Sequence, residues 1–415
     1  MKKIHVYTNT NCRRRLLDAK KLQLYFRKNK HPVVDKPEDA DQIIYITCAY
    51  REGITETNLA KIKELKKYDA ELIVAGCLPI IEEERLKEIF QGTTIGTKDL
   101  NEIDKLFPEN KIKFSSISDA EAITQEDYDT HYEENLKLKN IPLINDYYKH
   151  FKEFFTRNIL NNHLMVYLFP SKPEFYHVRI SWGCMGNCAY CVIRKAIGPL
   201  KSKPFDECIS DFKTGIEAGY KKIVITADDV GAYGLDIDSD FPKLLDKLTK
   251  IPGDYEVSVQ DLHPQWVVKY IDKLEPIFKR DKITSINIAL QSGSSEILKK
   301  MNRYSDVEKM DDALQKLKKS SKKLSFDTHF ILGFPTESHK NFLETMEFVK
   351  KLDFDMGFIY RFSCKKGTIA ETIEPKVSDE EIIKRMHQSR KILKNQKYKV
   401  VTLSKDSYYT FYKRH

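Results

Sequence analysis

The sequence lacks any apolar run long enough to cross a membrane, since no stretch approaches the ~18 consecutive apolar residues that a bilayer requires. It also lacks a secretion signal at its start, because residues 1–6 lead directly into a strand-like pattern. We therefore expect a cytoplasmic protein without a membrane partner. The eight cysteines are expected to be reduced, because they cluster in metal-type spacings and no export signal accompanies them.

A dense basic block with interleaved aromatic residues is missing as well. The 70 basic and 61 acidic residues leave a net charge of +9, which is spread along the chain. This modest excess permits a nucleic-acid partner, although it favours a lysine-rich solvated surface. At 415 residues the chain is longer than one hydrophobic core usually supports, so two or more domains are expected.

The most informative segment that is present holds Cys184, Cys188 and Cys191 in the spacing Cys-x3-Cys-x2-Cys, here called the barrel cysteine set. Three thiolates so close in sequence can ligate one iron–sulfur cluster, and no nearby fourth cysteine is available for the remaining iron. An iron without a protein ligand can bind a substrate or cofactor. A structural zinc site is the alternative, but it normally has four ligands, and the nearest histidine, His177, lies seven residues upstream.

Three further cysteines, here called the N-terminal cysteine set, each follow a hydrophobic strand-like run. Cys12, Cys48 and Cys77 come after residues 4–7, 43–46 and 72–75, and helical patterns separate the runs. This alternation predicts a parallel α/β sheet. Because the carboxyl ends of parallel strands lie at one edge of a sheet, we expect the three cysteines to converge. Thiolate sets of this kind suit an iron–sulfur centre or zinc.

The second half of the chain repeats the alternation of strands and amphipathic helices. Six strands are predicted, at residues 176–181, 222–226, 255–259, 285–290, 325–332 and 356–362. Six such units indicate a partial barrel, and Cys184 follows the first strand, at the carboxyl-terminal mouth where active sites of barrels lie. The predicted fold class is therefore α/β, with an N-terminal parallel sheet domain and a partial (β/α)6 barrel.

Four segments are expected along the chain. Residues 1–105 form the N-terminal α/β domain, residues 106–174 a linker with a helical insertion, and residues 175–377 the partial barrel. Residues 378–415 form a C-terminal helix, opened by a capping box at residues 378–381, and a short tail without a complete terminal β-barrel.

The barrel cysteine set, with Tyr190 before its last cysteine, resembles the signature of radical S-adenosylmethionine (SAM) enzymes. With the N-terminal cysteine set, the chain resembles the methylthiotransferase branch, which includes tRNA and ribosomal-protein methylthiotransferases. Further motifs occur in the family's order, at residues 47–52, 76–77, 291–294, 301–303, 333–337 and 367–368. The resemblance implies two [4Fe–4S] clusters, with SAM cleaved to a radical at the catalytic barrel cysteine set and sulfur carried at the N-terminal set.

The resemblance also implies a set of SAM contacts. Arg303 suits bidentate pairing with the SAM carboxylate, and Gly333 suits a close approach of the backbone to the adenine. The expected cofactor-binding residues are Tyr190, Asp228, Gln291, Ser292, Arg303, Gly333 and Phe334.

The implied reaction inserts a methylthio group at an unactivated C–H bond of a macromolecule. Relatives usually end in a small β-barrel that holds RNA or protein, and fewer residues follow position 395 than such a barrel needs. This favours a peptide or protein acceptor. The alternative is a tRNA adenosine, because residues 228–234 resemble members that act on threonylcarbamoyl-adenosine. A reducing partner such as flavodoxin or ferredoxin is expected. A non-catalytic iron–sulfur electron carrier or sensor is the alternative of another class.

Overall fold

A computed structural model describes residues 1–10, 12–123, 175–404 and 408–413. The chain divides into two compact units, which consist mainly of Met1–Ala49 with Gly53–His177, and of Tyr50–Glu52 with Val178–Arg414. The helical insertion expected within residues 106–174 lies outside the described residues from position 124 onward. No helix in the described ranges is both long and apolar enough to cross a bilayer.

The first unit contains a four-stranded parallel sheet in the order β1-β2-β3-β4. Its strands are β1 (Ile4–Thr8), β2 (Gln42–Thr47), β3 (Glu71–Gly76) and β4 (Thr94–Gly96). The first three are the predicted strands, and the fourth was not predicted. The helices along this part of the chain are α1 (Arg13–Lys28), α2 (Glu52–Leu65), α3 (Leu78–Ile81), α4 (Glu83–Ile89) and α5 (Ile103–Leu106).

The central strand β2 is buried on both faces, which explains its unbroken apolar run. Ile44 and Ile46 belong to a core cluster with Phe26 of α1, whereas Ile43 belongs to a second cluster with Ile62 of α2. Parallel strands covered on both faces typically read as continuous hydrophobic runs. Cys48 and Cys77 lie at the carboxyl edge of this sheet, directly after β2 and β3.

The six strands predicted for the second half of the chain are present. They are β6 (Phe175–Arg179), continued by β7 (Ser181–Trp182), then β9 (Lys222–Thr226), β10 (Glu256–Leu262), β11 (Ile283–Gln291), β12 (Ser325–Leu332) and β13 (Met356–Arg361). The strands β9 to β13 pair in parallel in sequence order, with β6 beside β9. Two short strands complete this region: β5 (Glu121–Ile123), which pairs antiparallel with β6, and β8 (Lys201–Ser202), which pairs with β7.

The strand order is linear, so within the described residues the sheet forms a partial barrel that does not close. The predicted fold class is thereby confirmed. The helices that alternate with these strands are α6 (Ile193–Ile197), α7 (Phe205–Glu217), α8 (Phe241–Thr249), α9 (Pro264–Phe278), α10 (Ser295–Lys300), α11 (Val307–Ser320), α12 (His339–Leu352) and α13 (Asp379–Asn395).

The chain beyond α13 forms a β-hairpin where the sequence analysis expects only a short tail. Strands β14 (Tyr398–Ser404) and β15 (Tyr408–Lys413) pair antiparallel, and β15 pairs antiparallel with β13. The hairpin therefore extends the barrel sheet by two strands. Both strands are rich in β-branched and aromatic residues, which favour β-structure.

Candidate functional site

The N-terminal cysteine set lies at the carboxyl edge of the four-stranded sheet. Cys48 directly follows β2, Cys77 directly follows β3, and Cys12 directly precedes α1. The Cys48 side chain is hydrogen-bonded to both Cys12 and Cys77, so the three sulfurs form one contiguous group. The structure brings together the residues that the strand pattern predicts to converge.

The three thiols of this set differ in acidity. The hydrogen bond with Cys48 lowers the pKa of Cys12 to about 5, and Arg14 and Arg15 act in the same direction. The hydrogen bond with Cys48 also lowers the pKa of Cys77, whereas the two hydrogen bonds that Cys48 makes raise its own pKa. Because the thiolate is the form that ligates a metal, Cys12 and Cys77 favour ligation, whereas Cys48 must lose its proton when a metal binds.

Arg15 is part of the surroundings of this cysteine set, a role that the sequence analysis did not predict. Its side chain is only 3% exposed, and its Nη1 lies 3.9 Å from the Cys77 sulfur. Its Nη2 pairs with Asp18 at 3.0 Å, so the guanidinium is fixed. Nearby in sequence, the buried amide oxygen and nitrogen of Asn9 have no hydrogen-bond partner among the described residues.

The barrel cysteine set lies on the loop between β7 and α6, at the mouth of the barrel. The backbone N–H of Gly186 donates to the Cys184 sulfur at 3.2 Å. Gly183 adopts a φ of +73°, and a Cβ at this position would lie 1.9 Å from the Pro199 oxygen, so only glycine fits. Its N–H donates to the Asp228 carboxylate at 2.9 Å. Asp228, predicted to contact SAM, is thus seen holding the cysteine loop.

Two thiols of the barrel set, those of Cys184 and Cys191, are less acidic than an ordinary cysteine. Burial raises the pKa of Cys184 to about 12, and it also raises the pKa of Cys191. These thiols remain neutral at physiological pH until a metal replaces their protons. Metal loading at this site should therefore release protons and be favoured by higher pH.

Arg303 connects the cysteine loop to the end of β11. Its Nη1 lies 3.3 Å from the Cys188 sulfur and 3.1 Å from the Tyr190 hydroxyl oxygen, and its Nη2 donates to the Ala289 carbonyl. Its buried Nε has no hydrogen-bond partner among the described residues. A guanidinium held in this way offers a donor beside the cysteines, which suits the predicted contact with an anionic group of SAM.

Two predicted SAM contacts at the end of β11 have different surroundings. Gln291 adopts a φ of +75° and is partly exposed at the strand end. Ser292 is 1% exposed, and its hydroxyl contacts the Thr345 hydroxyl at 3.1 Å and accepts from the Ser294 N–H at 3.1 Å. The Ser292 side chain therefore connects the loop to α12, and its contact with SAM remains a prediction.

The turn at Gly333 is also surrounded by protein groups. Gly333 has a φ of +82°, and a Cβ there would lie 2.4 Å from Ile382 of α13. Its N–H donates to Glu337 at 3.1 Å. Phe334 is fully buried and packs with Ala189 of the cysteine loop. Gly333 therefore allows α13 to pack closely against the turn, and Phe334 packs against the cysteine loop. The approach of the Gly333 backbone to the adenine of SAM remains a prediction.

Asp229 is a residue of the mouth that sequence reasoning did not single out. One carboxylate oxygen accepts from the Trp266 indole N–H at 2.8 Å, while the buried Oδ1 has no hydrogen-bond partner among the described residues. Burial raises the pKa of Asp229 to about 6. The same carboxylate acts electrostatically on Cys184 and Arg303. In the sequence, the only sign of a role for Asp229 at the mouth is its position one residue after Asp228, in the loop that follows β9.

The chemistry of the two cysteine sets fits iron–sulfur clusters, because iron–sulfur clusters are held by soft thiolate ligands. No group of three or more His, Cys, Asp or Glu side chains in the described ranges is arranged around a single-ion position. In an iron–sulfur cluster each thiolate binds a different iron, so the sulfurs need not converge on one point. Three soft ligands, a glycine-lined loop and an unpartnered guanidinium nitrogen are compatible with a cluster that leaves one iron open.

Two family models match the chain. Residues 178–349 match the radical SAM superfamily, and residues 3–96 match the uncharacterized protein family UPF0004. The two matches correspond to the barrel region and to the parallel sheet with the N-terminal cysteine set. The class of protein is therefore a radical SAM enzyme with an additional N-terminal domain.

Several relatives align with the chain over both of these parts. The chain is 30% identical over 394 residues to the tRNA-2-methylthio-N(6)-dimethylallyladenosine synthase of Clostridium botulinum, covering 92% of this chain and 79% of the relative. It is 27% identical over 373 residues to a probable threonylcarbamoyladenosine tRNA methylthiotransferase of Pyrococcus horikoshii, covering 89% of this chain and 79% of the relative. A protein of the same description from Methanocaldococcus jannaschii is 29% identical over 405 residues, covering 95% and 86%.

Solved structures share the fold. The radical SAM methyltransferase TsrM from Kitasatospora setae, with cobalamin and a [4Fe–4S] cluster bound, superimposes with a TM-score of 0.56 at 10% identity, covering 87% of this chain and 75% of that one. The cobalamin-dependent radical SAM enzyme OxsB gives a TM-score of 0.53 at 12% identity, covering 95% and 56%. At such low identity the likeness shows the fold alone.

The chain belongs to the radical SAM methylthiotransferase family, as its cysteine motifs suggest. It is a sulfur-transferring enzyme that uses SAM and two [4Fe–4S] clusters. The alternatives of a zinc site and of a non-catalytic electron carrier or sensor are thereby excluded.

We expect reconstituted protein to contain about eight irons, because two cysteine sets would each hold a four-iron cluster. Alanine at all three positions of the barrel set should leave about half of that iron. Inductively coupled plasma mass spectrometry together with a protein assay measures the ratio. Loss of all iron in this variant would contradict independent cluster binding by the two sets.

Proposed function

We propose that the enzyme methylthiolates an N6-threonylcarbamoyl-adenosine of tRNA. The support for tRNA is that the relatives described above are named for tRNA adenosines. None of those relatives is named for a polypeptide acceptor, so the sequence-based preference for a peptide or protein has no support from them. The support for the threonylcarbamoyl substituent comes from the polarity of the barrel mouth.

The carrying observation is that buried polar atoms near Arg303 lack partners among the described residues. They are the Oδ1 of Asp229, whose carboxylate interacts electrostatically with Arg303, and the Nε of Arg303 itself. A threonylcarbamoyl group carries amide, hydroxyl and carboxyl groups that can satisfy such atoms. A dimethylallyl group is apolar and would leave them buried without hydrogen bonds, which is costly.

The residues of the site have separate tasks under this proposal. The barrel cysteine set holds the cluster that supplies radical chemistry when SAM is bound, and the N-terminal set holds the second cluster. Arg303 would orient the anionic end of SAM beside Cys188. Asp229, fixed by the Trp266 indole, would orient the acceptor by accepting a hydrogen bond from it. A one-electron donor such as flavodoxin or ferredoxin is proposed as the reducing partner.

Mass spectrometry of tRNA nucleosides tests the acceptor. Cells without this gene should lose 2-methylthio-threonylcarbamoyl-adenosine and accumulate the form without the methylthio group. The intact gene should restore the product, and a Cys188→Ala gene should not. Loss of a methylthio-dimethylallyl nucleoside instead would contradict the proposed substituent. Unchanged methylthio nucleosides would contradict a tRNA acceptor.

A further inference from the structure

A row of aromatic side chains crosses the barrel sheet and continues onto the C-terminal hairpin. It is here called the aromatic face and consists of His329, Phe358, Tyr360, Tyr408 and Tyr412 on β12, β13 and β15. The Phe358 and Tyr360 rings stack with their centroids 6.1 Å apart, and the Tyr360 and Tyr408 rings stack at 5.4 Å. His329 contacts Phe358 and Tyr360 edge-on at 5.4 and 5.8 Å.

The register of the strands places these rings on one side of the sheet. Tyr360 is opposite Tyr408, and Met356 is opposite Tyr412 in the antiparallel pair of β13 and β15. Because side chains alternate between the faces of a strand, Tyr408 and Tyr412 share the face of Tyr360. The hairpin therefore lengthens a surface that begins inside the partial barrel.

The two faces of these strands differ sharply in burial. The rings on the opposite face, Phe326, Phe330, Tyr409 and Phe411, are at most 1% exposed. All five rings of the aromatic face remain partly exposed. Packing of a hydrophobic core explains the first group but not the second. Clustered aromatic rings that stay accessible typically mark a binding surface.

Cations accompany the exposed rings. The guanidinium of Arg51, which belongs to the second unit, lies 4.5 Å from the centre of the Tyr408 ring. The Lys399 ammonium on β14 lies 5.6 Å from the centre of the Tyr412 ring. Rings next to cations present a stacking surface for bases together with charges for phosphates. The cations disfavour an apolar peptide, and their combination with stacking rings favours a nucleic acid as the occupant.

We propose that the aromatic face stacks unpaired bases of the acceptor tRNA, an inference that rests on the proposed tRNA function. Single-stranded RNA is commonly bound on sheet surfaces whose aromatic side chains stack on successive bases. Tyr408 is the central contact, because its ring stacks with the Tyr360 ring and also lies next to the Arg51 guanidinium. The aromatic face continues onto the barrel strands β12 and β13 through His329 and Tyr360. An RNA strand whose bases stack on this face would therefore run toward the mouth of the barrel.

The test compares substitutions at Tyr408 in the full-length, cluster-loaded enzyme. The probe is bulk tRNA from cells that lack this gene, with binding measured by fluorescence anisotropy. Tyr408→Leu keeps apolar volume but removes the π face, so affinity should fall about tenfold. Tyr408→Phe keeps the ring and should bind as the parent enzyme does. Tyr220→Leu, at a partly exposed tyrosine after α7, is the matched control and should bind normally.

Salt dependence separates stacking from charge. Tyr408→Leu should leave the slope of log affinity against log salt unchanged, whereas Lys399→Gln should reduce that slope by about one. Formation of 5′-deoxyadenosine without acceptor should be the same in all variants, because that reaction does not require bound tRNA.

The outcomes distinguish this inference from the function on which it rests. If the parent enzyme binds no tRNA, the proposed tRNA acceptor fails and this inference fails with it. If the parent binds tRNA and Tyr408→Leu binds equally well, the aromatic face is not the stacking surface, while the tRNA function stands. Equal weakening by Tyr408→Phe and Tyr408→Leu would also overturn stacking, because it would assign the effect to the hydroxyl group.

Discussion

Cys188→Ala is expected to abolish both 5′-deoxyadenosine and methylthio product, whereas Cys48→Ala should abolish only the product. Cys188 belongs to the barrel set and contacts Arg303, so its loss removes the proposed site of SAM cleavage. Cys48 lies in the first unit and joins Cys12 and Cys77 into one group. Its loss should disrupt the N-terminal cluster and leave the barrel set intact. Liquid chromatography of reduced reactions with SAM measures both compounds.

Cys208→Ala is the matched control for the two variants. Cys208 is fully buried on α7, its sulfur lies 3.9 Å from the Lys203 carbonyl, and burial raises its pKa to about 12. These properties describe a core residue, and both activities should persist in this variant. Methylthio product from the Cys48→Ala enzyme at the parental rate would show that sulfur transfer does not use the N-terminal cluster. Retained SAM cleavage in Cys188→Ala would contradict the assignment of the barrel set.

The convergence of Cys12, Cys48 and Cys77 could be predicted because it follows from topology alone. Each residue follows a strand of a parallel sheet, and such strands end at one edge whatever the details of packing. The barrel strands could be predicted for a similar reason, since their apolar runs are long and separated by amphipathic helices. Predicted bounds match at β9 and β12.

The missed elements carry weaker signals. Strand β4 has only three residues, Thr94–Gly96, too few for any periodicity to be recognised. The hairpin of β14 and β15 is rich in β-branched and aromatic residues, but residues 405–407 between the strands contain no glycine or Asn-Gly pair to mark a turn. A run of tyrosines and lysines without that mark resembles a solvated tail.

The protein partners of single polar side chains could not be predicted from motifs. Asp228 and Ser292 stand in motif positions for which SAM contacts are predicted, and the structure adds hydrogen bonds to protein groups that the motifs do not indicate. Arg15 stands in a run of three arginines, and only its burial reveals that it faces Cys77. Such roles depend on which partner lies across the fold, and sequence spacing does not contain that information.

Arg385→Met should destabilise the second unit by about 3–5 kcal/mol at pH 8, the usual result of removing one partner of a buried ion pair. The Arg385 and Glu337 side chains are 5% and 1% exposed, and their charged atoms lie 2.7 Å apart. Glu337 also accepts the Gly333 N–H, so the pair supports the turn that carries Phe334. Without Arg385, the Glu337 carboxylate would remain buried without its cation.

The destabilisation should depend on pH. Burial already raises the pKa of Glu337 in the parent protein, and loss of Arg385 would raise it further. A carboxyl whose pKa is higher in the folded than in the unfolded protein favours folding when protonated, so its stability contribution falls as pH rises above the ordinary glutamate value. The deficit of Arg385→Met relative to the parent should therefore be smaller at pH 5 than at pH 8.

Urea unfolding followed by tryptophan fluorescence suits this measurement, because both tryptophans, Trp182 and Trp266, lie in the second unit with the ion pair. Lys384→Met, one residue earlier on α13 and 74% exposed, is the control and should change stability by less than about 0.5 kcal/mol. Adding Glu337→Gln to Arg385→Met removes the buried charge and should recover much of the loss at pH 8. If the double variant is as unstable as Arg385→Met, and the deficit is the same at both pH values, then lost packing of the arginine stem, rather than the uncompensated carboxylate, determines the stability of this turn.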